Sequence, residues 1–360
     1  MTKTTGKITL QDVATAAGVS RGAACAALRG GRSSTTNVSH VLMTRVQQAA
    51  RQLGYVPNAA ARSLRSRHVP QIGVILPNMR DVQRLASPQS FETIMGINHE
   101  LQEGDYVLTL ARLHDILESR REGGGSLLFK EHMINVAVAV GQFPEEAEAW
   151  TRKRIDKIVW CDGRLWEDTC CVRRDEHAAG RLAAERILEA GHRDVSLLVS
   201  DPANLGHQHF SFALRLAGAK AVCAEAGASC RTMTWDQIMA TPSAALCGTV
   251  VTTLSFDMAE RAYVALAARG LLPGRDLSLV SCDNYNQQWW CFQDIARVDF
   301  DRAAMGAAAA RMALAYETSG ERPASTLLPS AWREPSGGNT LIPKTKLHRN
   351  TGRRQGKSNK

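Results

Sequence analysis

Thr9-Leu10-Gln11-Asp12-Val13-Ala14-Thr15-Ala16-Ala17-Gly18-Val19-Ser20-Arg21-Gly22-Ala23-Ala24-Cys25-Ala26-Ala27-Leu28 is the stretch that sets the reading of this chain. Thr9 with Asp12 three places on reads as an N-cap with the short relative of a capping box, which starts a helix. That helix runs to about Ala17, and Gly18 suits the positive φ of a tight turn. Ser20 then caps a second helix, Arg21 to Leu28. Ala14, Ala17, Val19, Ala24 and Ala27 let the two helices cross closely. A third helix fits Ser39 to Leu53, with Leu42, Val46, Ala49 and Leu53 on one face. Helix, four-residue turn with glycine, helix is the spacing of a DNA-binding helix-turn-helix. In that motif the second helix enters the major groove by its N-terminal end, so Ser20 and Arg21 would meet phosphates and base edges. The same spacing also suits a plain three-helix core.

Charge is placed unevenly around this segment. The net charge is +9 over 360 residues. Residues 1–70 hold ten Lys and Arg against the single acid Asp12, and residues 344–360 hold seven with no acid. The 273 residues between them therefore carry −7. A basic head and tail around an acidic body is the pattern of a nucleic-acid-binding unit attached to an unrelated one; a solvated basic head without a partner is the bland alternative.

The length suggests two or three domains. A hydrophobic fraction of 44% with 22% charged residues is that of a globular protein and excludes collagen-like, disordered and disulfide-scaffold classes. No apolar run approaches the roughly 20 residues of a membrane helix, and Met1 to Thr9 lacks the apolar core of a secretion signal. The nine cysteines, with Cys170 and Cys171 adjacent, fit no paired spacing, which points to a reduced cytoplasmic setting.

Beyond the third helix, Asn58 caps Ala59 to Ser66, a helix too short to stand alone in water. It would form against a twin helix and DNA. Strands fit Gln71–Pro77, Tyr106–Leu110, Val136–Val140, Lys157–Trp160, Val195–Val199, Thr249–Thr253 and Leu277–Ser281, with helical stretches at Phe91–Gly104, Ala178–Ala190 and Met258–Arg269. This alternation implies parallel α/β layers, and about 270 residues suit two such lobes with a cleft between.

Thr9 to Ala14, Ala17 to Ser20 and Leu53-Gly54-Tyr55-Val56-Pro57-Asn58-Ala59-Ala60-Ala61, in this order and spacing, resemble the LacI/GalR family of transcriptional regulators. The resemblance continues more weakly through Ile72-Gly73-Val74, Phe91 to Ile97, Asp175 to Ala183, Ala190 to Arg193, Arg215 to Gly218, Pro273 to Val280 and Asp283-Asn284. It implies an all-α helix-turn-helix head joined by a hinge helix to an α/β two-lobed, periplasmic-binding-protein-like body. The implied boundaries are 1–58 for the head, 59–69 for the hinge, 70–343 for the effector-binding and dimerisation body and 344–360 for a disordered basic tail. The tail either adds phosphate attraction or is inert.

The partners so implied are double-stranded DNA with a near-palindromic operator, a second copy of the chain, and a small-molecule effector of the sugar class. No membrane and no cofactor are implied. DNA contacts fall to Thr9, Leu10, Ser20, Arg21, Gly22, Ala23, Cys25, Ser39, Tyr55, Asn58, Ala61 and Leu64, the last as a wedge that unstacks a central base step or as packing in the hinge pair. Effector contacts fall to Phe91, Arg215, Trp235, Ser255 and Asp283. Arg215 and Asp283 would grip ligand oxygens or make surface salt bridges, and the aromatics would stack on a ring or pack in the core.

The chain departs from the family pattern in several places. Ala23, Cys25 and Ala26 replace polar readers of the second helix, leaving Arg21 with more of the specificity. The turn Gly30 to Asn37 is about four residues longer than usual, and Leu42-Met43 stands where Thr-Arg is common. In the body, Ser255-Phe256 stands for an Asn-Asp pair and Asn135-Val136 for Asp-Gly; Asn286 to Trp290 either lines a pocket or packs inside. Loss of effector binding is therefore one reading, and a transport-type solute-binding protein is a third, opposed by the head. His207 and His209 do not fill a metal shell. Gly123-Gly124-Gly125 lacks the Lys-Ser/Thr of a phosphate loop, and no nucleophile elbow is present. Catalysis has no support in the sequence.

Overall fold

The computed structural model describes residues 8–28, 38–56, 70–76, 88–112, 134–199, 209–284, 295–334 and 340–346. The chain divides into two compact units, Met1–Pro70 and Gln71–Lys360.

The first unit holds α1 (Leu10–Ala16), α2 (Arg21–Leu28) and α3 (His40–Leu53). Thr9 and Asp12 form the full capping box, so the end of α1 is fixed by two reciprocal bonds. Gly18 turns the chain at φ +62° and Gly54 ends α3 at φ +65°, both in the left-handed region where a side chain is strained. Val13, Ala14, Ala17, Ala24, Ala27, Val46, Ala49 and Ala50 form the core, edged by Leu10, Leu53 and Tyr55. The small side chains at the α1–α2 crossing allow the close approach that the sequence predicts.

The second unit runs β1 (Gln71–Leu76), α4 (Pro88–Glu103), β2 (Val107–Arg112), β3 (Val136–Val140), α5 (Glu145–Arg152), β4 (Lys157–Cys161), β5 (Cys171–Arg174), α6 (Glu176–Glu189), β6 (Asp194–Val199) and α7 (Phe210–Glu225). It continues through β7 (Ser229–Thr234), α8 (Trp235–Ala240), α9 (Ser243–Leu246), β8 (Val250–Thr253), α10 (Phe256–Ala268), β9 (Ser278–Ser281), β10 (Ala296–Asp299), α11 (Arg302–Ser319), β11 (Thr326–Leu328) and β12 (Ala331–Arg333). Two six-stranded sheets result, ordered β11-β5-β4-β3-β1-β2 and β12-β10-β9-β8-β6-β7. Every pairing is parallel except β10 with β12.

Both faces of each sheet are covered, which is why these strands read as apolar runs. In β3, Val136, Val138 and Val140 meet Ile97 and Leu101 of α4 and Met305 and Ala309 of α11. Ala137 and Ala139 point the other way, toward Phe143, Ala147 and Trp160. The second sheet repeats the scheme, with Val195 and Leu197 under α6 and α7, and Leu198 and Leu279 under α8 and α10.

The strand order reverses between β1 and β3 in one lobe and between β6 and β8 in the other, so the crevices beyond the carboxyl ends of those strands are the natural ligand positions. The chain passes between lobes at Arg174–Glu176, at Phe300–Arg302 and between β11 and β12. The expected α/β two-lobed body is present, and each strand named from sequence exists within a residue or two of its predicted bounds.

The tail boundary needs correction. Lys344 to Lys346 form a helical turn on the second lobe, with Lys344 N donating to the Ala190 carbonyl at 2.9 Å and its Nζ to the Gly248 carbonyl. The turn is fixed by bonds to backbone carbonyls, which composition does not reveal. The rest of the expected tail, 347–360, and the hinge, 59–69, lie outside the described residues.

Candidate functional site

On the head, Ser20 Oγ accepts the Ala23 amide at 3.1 Å, so its hydroxyl caps α2. Arg21 and Gly22 follow it, both exposed, with Ala23 and Cys25 partly exposed on the next turn. Ser39 Oγ accepts the Leu42 amide at 3.3 Å and starts α3. Thr9, Ser20 and Ser39 are thus exposed N-caps, each beside backbone N–H groups that suit a phosphate. Leu10 and Tyr55 are half-buried against the head core. Ala26 is buried. Asn58, Ala61 and Leu64 lie outside the described residues.

In the body, the structure brings Arg215, Asp283 and the segment before Ser255 together. Arg215 is fully buried on α7; its Nε meets Glu176 Oε2 at 2.6 Å and its Nη1 meets Asp283 Oδ2 at 2.9 Å and the Leu254 carbonyl. Asp283, just past β9, also receives Arg302 Nη2 at 2.5 Å and Arg174 Nη1 at 3.5 Å. Arg174 Nη2 in turn contacts Asp162 at 3.0 Å and Glu176 Oε1 at 3.0 Å. Three guanidiniums and three carboxylates therefore form one network, with the Phe300 ring 4.8 Å from the Arg174 guanidinium and 5.5 Å from that of Arg215. Burial opposes the charge on Asp283, but Arg215, Arg302 and Arg174 outweigh it and hold the carboxyl well below the usual carboxylate range. Burial likewise opposes the charge on Arg174, and Asp162, Glu176 and Asp283 overcome it, raising its pKa.

Arg215 and Asp283 do make salt bridges, but buried ones that span sequence separations of 19 and more, not the surface pairs that were one sequence alternative. Ser255 is buried at the start of α10, and its Oγ neither caps the helix nor finds another hydrogen-bond partner among the described residues. Phe91 is 61% exposed on α4, which overturns core packing for it: its neighbours on the buried face are Ile97 and Leu101, and it points off that face. Trp235 opens α8, half-buried against the Ile238 side of the second lobe. The ring under the ion network is Phe300. Sequence reasoning missed Asp162, Arg174, Glu176, Arg302 and Phe300. The one signal was Arg173-Arg174-Asp175-Glu176, a charged run where a buried strand meets a helix.

Among the described residues, no group of three His, Cys, Asp or Glu is placed to hold a metal ion, and no helix is long and apolar enough to cross a membrane.

Residues 9–58 match the family model of bacterial regulatory proteins, lacI family, and residues 184–334 match a periplasmic binding protein-like domain. The chain is 26% identical to the HTH-type transcriptional repressor PurR of Erwinia tasmaniensis over 349 residues, covering 89% of this chain and 93% of that protein. Among solved structures it resembles a lac repressor dimer bound to operator and the anti-inducer ONPF, with a TM-score of 0.67 and 19% identity over 92% of this chain and 99% of the other. A CelR–cellobiose complex matches with a TM-score of 0.60, also at 19% identity, over 92% of this chain and 100% of the other. At such identities the structural likeness speaks to the fold.

Proposed function

Because the chain belongs to the LacI family of bacterial regulatory proteins and is a DNA-binding transcriptional regulator, we propose that it is a dimeric, cytoplasmic repressor of a near-palindromic operator. The observation that carries this is the capped α1–Gly18–α2 unit, which offers Ser20, Arg21 and Gly22 outward on a segment of charge +9. In this reading 1–58 is the DNA-binding head, 59–69 the hinge and 70–346 the body, whose lobe arrangement orders or melts the paired hinge helices. A small molecule between the lobes would shift that arrangement, and DNA and inducer would then weaken each other equally. The protein acts by binding and not by catalysis. The relatives support this: PurR is a repressor, the lac repressor neighbour holds operator, and the CelR neighbour holds cellobiose.

A second reading has a specific observation behind it. Arg215 and Asp283 are already committed to buried ion pairs. A chain whose cleft is filled by its own charges would bind operator without an effector.

Selection of bound duplexes from a random pool, with full-length protein at near-physiological salt, tests the first part. A palindrome with a deformable centre is expected; enrichment of no sequence would overturn specific regulation. The selected duplex then serves as the probe for a panel of neutral sugars. A change of several-fold in operator affinity favours the effector reading, and indifference to all of them favours the second.

A further inference from the structure

Arg174 differs from the other arginines of the interlobe network in the carboxylates it meets. It ends β5 in the first lobe, and the carboxylates it meets belong to both lobes. Asp162 follows β4 in the first lobe, and its two carboxylate oxygens lie 3.0 and 3.2 Å from Arg174 Nη2, with Nε donating to Oδ1 at 3.2 Å. Glu176 lies 3.0 Å away on α6, and both oxygens of Asp283 lie 3.5 Å from Nη1 in the second lobe. Such a planar, forked fit is what a guanidinium gives and an ammonium does not. Asp162 is held for it at φ +57°, a conformation rare for a residue with a side chain. The Phe300 ring at 4.8 Å completes the cradle.

Charge balance makes the residue decisive. With Arg174 the network holds three guanidiniums and three carboxylates; without it, the three carboxylates keep two guanidiniums in the network, Arg215 and Arg302, and Glu176 and Asp283 are buried. An unbalanced buried carboxylate is strongly unfavourable. A neutral hydroxylated ligand entering here would have to part these pairs and could not restore their charge.

We infer that Arg174 is a tethered ligand: its side chain fills a guanidinium site built by Asp162, Glu176, Asp283 and Phe300, and so holds the two lobes together without a small molecule. This rests on the second reading above for its consequence in regulation, but the site itself is independent of DNA. Removal of the tether leaves an empty site that takes free alkylguanidinium cations.

The test compares full-length wild type with Arg174→Ala by thermal melting at neutral pH. The variant is expected to melt lower by on the order of 10 °C. Ethylguanidinium chloride should restore a large part of that loss saturably, with half-effect on the order of millimolar, while tetramethylammonium chloride at equal ionic strength restores none and wild type gains nothing from either. Equal effects of the two salts on the variant, or an equal gain by wild type, would overturn the inference. Were the variant unable to fold alone, its refolding yield in the two salts reads the same site: a higher yield in ethylguanidinium is expected, and equal yields would overturn it. Because melting needs no DNA, a failed operator selection leaves this result standing, and a failed rescue leaves the operator result standing. With the selected duplex, the operator affinity of Arg174→Ala should change several-fold with ethylguanidinium while that of wild type stays constant; a constant variant would break the link between site and DNA.

Discussion

At Arg21, one long cation leaves the exposed edge of α2 immediately after the Ser20 cap, and the next positions are Gly22 and Ala23. With small side chains around it, Arg21 has the reach for a paired contact with a guanine edge. Arg21→Ala should therefore relax base choice at one position in each half-site, at a cost of about 1–3 kcal/mol for the preferred base. Repeating the duplex selection with the variant checks this, and unchanged selectivity would remove the role. A second residue-level effect concerns pH. His192 is buried against the 340–346 segment, its Nε2 2.9 Å from the Ile342 carbonyl and 3.2 Å from Ser278 Oγ. Burial lowers its pKa, the Ile342 carbonyl bond works against that, and Lys344 adds to the lowering. A histidine whose folded pKa is depressed stabilises the fold fully above its unfolded value of about 6.5 and progressively less as pH falls below it. The melting temperature of wild type should thus drop on going from pH 7.5 to 5.5, and His192→Gln should show a shallower drop. Parallel slopes for the two proteins would show that His192 does not contribute.

The helix pairs α6–α7 and α4–α11 are each locked by reciprocal glycines. A Cβ on Gly180 would run into the Arg215 carbonyl oxygen, and one on Gly218 into that of His177. Gly96 and Gly306 stand in the same relation to the backbones of Ala303 and Thr93. Gly180→Ala must push α7 away, and α7 carries Arg215, so the loss is felt in both packing and the ion network. A destabilisation of about 1–3 kcal/mol is expected in denaturant unfolding, in place of the gain that alanine normally brings to a helix interior. A neutral or stabilising outcome would mean that the crossing is looser than the structure has it. The elements that could be read from sequence are those with local signals. Helices α1 to α3 have Thr9, Ser20 and Ser39 as caps and Gly18 and Gly54 as turns, and β1 and β3 are unbroken apolar runs. Strands such as β5, β7 and β12 give no such signal because Arg173-Arg174, Arg231-Thr232 and Arg333 interrupt any apolar run, although their backbones pair normally. The ion network was legible only as two isolated residues, Arg215 and Asp283. Its other members lie far off in sequence, Arg174 being 109 positions from Asp283, and no periodicity brings such residues together.

At the scale of the whole molecule, the DNA-binding head and the body that holds a charged interlobe network follow one another in the chain, with residues 57–69 between their described parts. That segment is the covalent path from the body to the head. Its sequence, Ala59-Ala60-Ala61-Arg62-Ser63-Leu64-Arg65-Ser66, has good helix formers but too few of them to be helical alone. Formation against a twin and a minor groove would supply the missing contacts, and the large apolar side chain in that segment is Leu64. In the proposed dimer, insertion of a leucine from each copy at a central base step would cost a few kcal/mol of unstacking, to be offset by the contacts that bent DNA would give to two heads. Leu64→Ala should thus lower affinity for the selected palindrome on the order of tenfold or more and reduce the bend, while binding to random duplex, which rests on the basic residues, stays nearly constant. Bend angles from circularly permuted fragments, with affinities for both duplexes, read the three quantities together. An unaltered bend with weaker binding would assign Leu64 to packing within the hinge pair, and an equal loss on random duplex would place it in general DNA attraction instead of in the coupling between body and operator.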